Sequence, residues 1–209
     1  MVNAQPYNLF DSTYVSGRIM RDAKHFVKSR YNNGMNERLR HIEDETLAAK
    51  GVELYEGWND KIAKALVQKS LEALMLQNVP KDHGRRFSDE AAAQTWWQSA
   101  PGRLFYPLLK DNDLAGVVWY TPEPDSESTA EHTFAIRLYE CARGASISMP
   151  FMQASYNDAA RHGVTNGVWL ETDTTNRAAR LLYSRFGYQT TAEREDGRVH
   201  MVYGVDNNK

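Results

Sequence analysis

A chain of 209 residues with 42% hydrophobic side chains and a formal net charge of -2 can bury a sizeable core and has no global electrostatic pull toward nucleic acid or anionic lipid. Its one cysteine, Cys141, excludes an internal disulfide and a thiolate-rich metal cage, and fits a reducing compartment. The opening MVNAQPYNLFDS lacks the layout of a leader, no apolar run approaches the ~20 residues of a membrane span, and no two histidines stand at metal-ligand spacing; a cytoplasmic protein without a metal is expected.

The first fifty residues differ in character from the rest. Ser16 can cap a helix in SGRIMRDAKHFVKSRYNNG whose Ile19, Ala23, Phe26 and Val27 share a face, while Arg18, Arg21, Lys24, Lys28 and Arg30 lie elsewhere. That basic bias reads as a solvated face, the alternative being a footprint for nucleic acid or an acidic protein. A second helix is expected after Asn36, presenting Leu39, Ile42 and Leu47 and ending near Gly51. Residues 1–50 thus read as an N-terminal helical extension.

From Gly51 the pattern changes. GVELYEGW alternates as a strand does, and NDKIAKALVQKSLEALMLQ then repeats Ile62, Ala65, Leu66, Leu71, Leu74 and Met75 at helical spacing. SDEAAAQTWWQS opens with Ser88 as a cap and an acidic first turn, which predicts another helix. GRLFYPLLKDNDLAGVVWYTPEP sets two apolar runs about the turn-rich KDND, an antiparallel hairpin in which Pro107 demotes part of the first run. EPDSES is a loop by composition, and HTFAIRLYE is a strand with Phe134, Ile136 and Leu138 on one face. SMPFMQASYNDAARHG is a helix capped by Ser148 and closed by Gly163. The strand GVWLE, the helix NRAARLLYSRFG, and the strands YQTTAERE and RVHMVYGV about a DG turn complete the order β, α, α, β, β, β, α, β, α, β, β. The class is α/β (mixed α+β): one mixed sheet of six to seven strands with helices on its faces.

Between the strand HTFAIRLYE and the helix at Ser148 lies CARGASIS, a run of small residues whose amides a ligand can approach closely. A helix N-terminus adds unpaired N–H groups and a partial positive charge, which suit a pyrophosphate. A tight strand-to-helix connection would need the same small residues.

The stretch RGASIS, Arg143 to Ser148, resembles the pyrophosphate loop of the GNAT superfamily of acyl-CoA-dependent N-acyltransferases, written Gln/Arg-x-x-Gly-x-Gly/Ala, with Ser146 and Ser148 standing where the family has glycines. WLETDTTNRAARLLYSRFGY is similar to the family's later motif. Leu170 and Glu171 end a strand, and Asn176, Ala179, Tyr183, Gly187 and Tyr188 follow at matching spacings. In order and spacing the resemblance covers about residues 51 to 205, so 51–209 reads as a GNAT-like N-acyltransferase domain. It implies a sheet splayed between the family's fourth and fifth strands, acetyl-CoA as acyl donor, no metal, and direct transfer to a primary amine in a ternary complex.

Acyl transfer from a thioester to an amine needs a deprotonated nucleophile, a stabilised oxyanion and a proton for the departing thiolate. By the resemblance, pantetheine adds to the exposed backbone of the fourth strand, here Leu138 and Tyr139, whose amides would polarise the thioester carbonyl. Arg143, Gly144, Ala145, Ser146, Ile147 and Ser148 would hold the pyrophosphate, and Asn176 would contact the cofactor while capping its helix. Glu171 is the candidate base, directly or through one water, although a carboxylate of ordinary pKa near ~4.3 is a poor base for an amine; the alternative is a structural carboxylate bound to the next turn. Tyr183, two helical turns beyond Asn176, is the candidate acid for the thiolate, and the alternative is a packing aromatic. Cys141 reads as an unreactive loop cysteine.

The acceptor is expected to be an amine on a peptide N-terminus, a lysine or a small molecule. A homodimer is compatible with this reading, no membrane partner is expected, and the acidic balance argues against nucleic acid. Two other readings stay open: a non-catalytic acyl-CoA-binding regulatory module, and an RNA-directed acyltransferase gripping phosphates with the basic helix from Arg18 to Arg30.

Overall fold

The computed structural model describes residues 39–205; the expected helix from Ser16 to Arg30 lies outside them. One eight-stranded sheet runs in the order β1-β2-β3-β4-β5-β6-β8-β7. Its strands are β1 (Arg40–Ile42), β2 (Glu53–Glu56), β3 (Leu104–Lys110), β4 (Asp113–Pro122), β5 (His132–Leu138), β6 (Val168–Asp173), β7 (Gln189–Glu193) and β8 (Arg198–Tyr203). All neighbours are antiparallel except β5 and β6, which are parallel.

The strand beyond the six or seven expected is β1. Where a helix was expected from Asn36 to Gly51, the chain forms β1 and then a single turn, α1 (Glu45–Ala48), capped by Asp44 accepting from the Leu47 amide at 2.9 Å. The reason lies far along the chain. Arg40 forks onto Asp158 at 2.5 and 3.1 Å and meets Glu56 at 3.2 Å, while the Tyr106 hydroxyl donates to the same aspartate at 3.1 Å. A bidentate pair on a nearly buried carboxylate draws this segment onto the sheet edge, and helical spacing alone does not reveal it.

The long helix expected after Asn59 breaks into α2 (Asp60–Lys69) and α3 (Ala73–Asn78). Ser70 ends α2 with its hydroxyl donating to the Val67 carbonyl at 2.7 Å, and it leaves Leu71 and Leu74 exposed rather than in the core. A π-helical turn (Asp82–Arg86) follows, then α4 (Glu90–Gln98). Asp89, one residue past Ser88, caps α4 by accepting from the Ala92 amide at 2.8 Å. The β3–β4 turn has positive φ at both Asp111 and Asn112, as a two-residue hairpin turn of the twist-matched kind requires. Pro107 stays within β3, and pairing with β2 stops at Leu108 beside it.

Two cores sandwich the sheet. On one face α5 (Ser148–Arg161) and α6 (Arg177–Phe186) bury Phe151, Met152 and Tyr183 against Val118, Tyr120, Phe134 and Leu170. On the other, α2 and α4 bury Ile62, Leu66 and Ala93 against Phe105, Val117, Trp119 and Tyr139. Val117 and Trp119 point one way and Val118 and Tyr120 the other, the alternation of a strand buried on both faces.

The feature that positions the site is a missing stretch of ladder. β5 pairs with β4 along its whole length, but with β6 only at His132–Val168 and Thr133–Trp169. Beyond Thr133 the two strands part, and the edge of β5 from Phe134 to Leu138 opens toward a gap.

Candidate functional site

The gap is lined by backbone as much as by side chains. The Tyr139 amide donates to the Ala115 carbonyl at 3.0 Å, which makes that pair a bonded one and, by the alternation of an antiparallel ladder, turns the Leu138 amide toward the gap. Of the two amides expected to polarise a carbonyl, Tyr139's is therefore committed to β4 and Leu138's is the one that faces the opening. The carbonyls on this edge have partners: Ile136 accepts from Arg137 Nη1 at 2.9 Å and Leu138 from Arg143 Nε at 3.1 Å.

At the end of β5 the chain makes a 3-10 turn (Glu140–Ala142) and enters the small-residue loop. Gly144 has φ +75° and Ser146 φ +52°, two left-handed residues separated by Ala145. The amides of residues 144 to 149 find no acceptor among the described residues, and they lead into the N-terminus of α5. Ile147, not Ser148, is the N-cap, and it offers no side-chain oxygen to those amides. A Cβ on Gly144 would meet nothing within 4 Å, so the hollow is open. Such a run of free N–H groups at a fourteen-residue helix has the chemistry to cradle an anion. Arg143 turns back from it: its guanidinium bridges the Leu138 carbonyl and Glu72, with Nη2 3.5 Å from the carboxylate.

Across the gap, Asn176 caps α6 by accepting from the Ala179 amide at 3.2 Å, and Gly187 ends the helix at φ +114°. Tyr183 is buried, its ring 6.1 Å from Phe134 and 5.6 Å from Tyr188, and its hydroxyl has no hydrogen-bond partner among the described residues. Burial raises the pKa of Tyr183, with the positive charge of Arg137 opposing, so the phenol holds its proton at neutral pH.

Glu171 points from β6 to the face of α2 and α4, but not into free space. Arg194 Nε lies 3.2 Å and Arg198 Nη2 3.5 Å from its carboxylate, and Arg194 also holds Glu127. The expected base thus sits between two guanidiniums. Beside it, buried His200 lies 3.3 Å from Asp125 and 2.5 Å from the Thr191 hydroxyl, and stacks on Trp169, which pins the β4–β5 loop to β8. Cys141 is half-buried with its thiol 3.8 Å from the Leu114 carbonyl.

Sequence reasoning missed a buried ion pair beneath the gap. Asp82, from the π-helical turn, receives Arg137 Nε at 2.6 Å and Arg86 Nη1 at 2.8 Å, and Arg137 also lies 4.9 Å above the Trp119 ring. Burial pushes the Asp82 carboxyl up, but Arg137 and Arg86 outweigh it and hold its pKa below the usual carboxylate range. KDHGRR shows no period that would single out Asp82. No group of three or more histidine, cysteine or acidic side chains among the described residues is arranged to hold a metal, and no described helix is long and apolar enough to cross a membrane.

A mixed sheet opened between two parallel strands, with an anion cradle at the helix that joins them, defines an acyl-CoA-dependent acyltransferase scaffold. The Acetyltransferase (GNAT) family model matches residues 70–188, more than half of the chain, and the protein belongs to that family. Among curated proteins none matches the chain in sequence. Solved structures share the fold. RimL, the ribosomal L7/L12 alpha-N-protein acetyltransferase in an apo crystal form, aligns at 16% identity over 83% of this chain and 97% of its own, with a TM-score of 0.58. The putative acetyltransferase yncA from Salmonella typhimurium, with its cofactor acetyl-CoA, aligns at 13% identity over 76% and 96%, with a TM-score of 0.59. The aminoglycoside acetyltransferase AAC(6')-Ib, in complex with coenzyme A, aligns at 11% identity over 73% and 94%, with a TM-score of 0.57.

Proposed function

We propose that this protein is an N-acetyltransferase that passes an acetyl group from acetyl-CoA to a primary amine by direct attack in a ternary complex. The observation that carries the proposal is the parted edge of β5, with the Leu138 amide facing the gap and the free amides of residues 144 to 149 beside it. Acetyl-CoA, when bound, supplies an activated acyl thioester; the chain supplies the rest. Gly144, Ala145, Ser146, Ile147 and Ser148 hold the pyrophosphate through backbone N–H groups, and the Leu138 amide polarises the carbonyl. Asn176 fixes the start of α6, and Tyr183, protonated and without another partner, donates to the departing sulfur. Arg143 contributes from its side chain only after leaving Leu138 and Glu72. Glu171, ionised between its two guanidiniums, orders the water through which the acceptor ammonium passes its proton to solvent, and the same guanidiniums favour the neutral amine over the ammonium. The single cysteine fits a cytoplasmic setting for this work.

One observation favours a second reading, a non-catalytic acyl-CoA-binding module: Glu171 is engaged by Arg194 and Arg198. Calorimetric titration with acetyl-CoA and desulfo-CoA, on the wild type, Ser146→Trp and Tyr183→Phe, separates the readings when joined to a turnover assay over an amine panel. Binding lost on Ser146→Trp and kept in Tyr183→Phe, with transfer lost in both, is expected. Binding without thioester consumption on any amine points to the module, and no binding at all by folded wild type sinks both.

A further inference from the structure

A cleft of about 530 Å³ opens between the π-helical turn and one face of α4, lined by Lys81, Arg85 and Arg86 on one side and by Thr95, Trp96 and Ser99 on the other. Beneath it Arg103, itself buried, lays its guanidinium 3.9 Å over the Trp96 ring and donates to the Trp96 carbonyl and, at 3.1 Å, to the Thr121 hydroxyl. Its charges are not balanced. Among the described residues no carboxylate pairs with Lys81, Arg85 or Arg103, and the one carboxylate that serves Arg86 is Asp82, which also serves Arg137. Burial, then the neighbouring charge of Arg86, pulls the Arg103 pKa down to about 10, with Glu123 opposing; the group is still charged at neutral pH, in a field that is positive. On a chain of net charge -2 this concentration is local.

A chain of ion pairs runs from the cleft to the gap. Its wall residue Arg86 is joined through Asp82 to Arg137, the residue of β5 that bonds the Ile136 carbonyl on the parted edge. It lies on the α2 and α4 side of the sheet, opposite α5 and α6. Resting on the acetyltransferase reading above, we propose that this cleft docks the acceptor by its negative charges, and that the acceptor is an acidic peptide segment whose amine enters the gap. Exposed Lys81 and Arg85 meet carboxylates at the rim, a guanidinium fork binds a carboxylate through two parallel N–H donors, and Trp96 gives an apolar surface for side-chain methylenes. An acceptor bearing several amines, such as an aminoglycoside, meets like charge here and is disfavoured. A nucleic acid needs a longer cationic track than one cleft.

The test uses the full chain and two peptides labelled at the C-terminus, each with a free N-terminal serine, one followed by five aspartate or glutamate residues and one by the matching amides. Fluorescence anisotropy is read for the wild type and for Lys81→Glu/Arg85→Glu, a pair that is exposed and makes no ion pair that the fold depends on. Acetyl-CoA titration of both proteins runs alongside. The acidic peptide should bind about tenfold or more tightly than its amide counterpart, with steep salt dependence, and the double reversal should erase the difference while leaving acetyl-CoA affinity unchanged. Equal binding of the two peptides, or an acidic preference untouched by the reversal, overturns the inference. So does a single-stranded RNA of equal charge that outcompetes the acidic peptide. Loss of acetyl-CoA binding in a wild type that still prefers the acidic peptide overturns the enzymatic reading alone and leaves the cleft's chemistry standing.

Discussion

Replacing Ser146 by glycine should stabilise the protein, and replacing Gly144 by alanine should do the reverse, although both lie in the same exposed loop. Ser146 sits at φ +52° and Gly144 at φ +75°. A residue with a Cβ in this region suffers about 1–2 kcal/mol from the clash with the following carbonyl. Glycine removes that strain but loses more backbone freedom on folding, about 0.5–1 kcal/mol. The net for Ser146→Gly is a gain of roughly 0.5–1 kcal/mol, or about 1–4 °C in Tm for a domain of this size. The Ser146 side chain makes no hydrogen bond among the described residues, so no such bond is lost with it. Gly144→Ala places a methyl in open space, since nothing lies within 4 Å of the added carbon; the strain less the regained backbone entropy remains, and a similar loss follows. Urea melts of the two variants and the wild type measure both. A destabilised Ser146→Gly together with a neutral Gly144→Ala would refute the left-handed geometry assigned to this loop and the cradle built on it. In the expected case acetyl-CoA affinity should be kept or raised in Ser146→Gly, because the amide at 146 then reaches its orientation without strain.

Tyr183→Phe should lower kcat by roughly 10²–10⁴-fold with acetyl-CoA affinity unchanged, and should abolish the basic limb of the pH–rate profile; an unaltered profile would show that the hydroxyl only packs. Asp82→Ala leaves Arg137 buried without a carboxylate and should cost about 3–5 kcal/mol in a denaturation curve, part of which Asp82→Asn combined with Arg137→Met should restore. Asp82 and Asp158 both have folded pKa values below the ordinary one, the former through its arginines and the latter through Arg40, each against the opposing effect of burial. Protons therefore favour the unfolded chain: the stabilisation is complete above about pH 4 and is lost as pH falls through the lower folded values. Thermal melts from pH 6 to pH 2 should show that acid limb, flattened in Asp82→Asn, and an identical limb in the variant would contradict it. Gly116→Ala sets a carbon 2.9 Å from the Arg137 carbonyl and from Leu138, so it should push β5 from β4, cost about 1–3 kcal/mol and weaken acetyl-CoA binding.

The order of elements from Gly51 onward is legible in the sequence because local signals and tertiary packing agree there. β4 is apolar from Leu114 to Tyr120 and buried there on both faces, the helix at Asn176 is capped by that residue, and Gly187 closes it at positive φ. Disagreement appears where a distant partner decides. Leu39, Ile42 and Leu47 are spaced as a helix would space them, yet Arg40 is bound to Asp158 across 118 positions and the segment becomes an edge strand. Leu71 and Leu74 continue the period of α2, but Ser70 is turned into the fold by the Phe87 carbonyl at 3.3 Å, and the leucines beyond it end at the surface.

The same rule separates the two proposed halves of the site. An anion held by backbone amides needs only small residues in a row before a helix, so the cradle we propose from Gly144 to Ser148 is written in consecutive letters and can be looked for by reading them. Recognition by side-chain charge has no such local grammar. Arg86, Asp82, Arg137 and Arg103 come from a π-helical turn, a mid-sheet strand and the residue before β3, and their meaning lies in how few carboxylates they share. Glu171 shows the cost of reading a charge without its neighbours: the motif ends the strand at this residue, whereas β6 runs on to Asp173 with Glu171 opposite His200, and Arg194 and Arg198 arrive from the β7–β8 hairpin and change what the carboxylate can do. A donor site built of backbone is common to many acceptors, whereas an acceptor site built of scattered charges is free to differ from one chain to the next. Specificity in this protein should therefore follow substitutions in the cleft and the β7–β8 hairpin and leave the affinity for acetyl-CoA as it is.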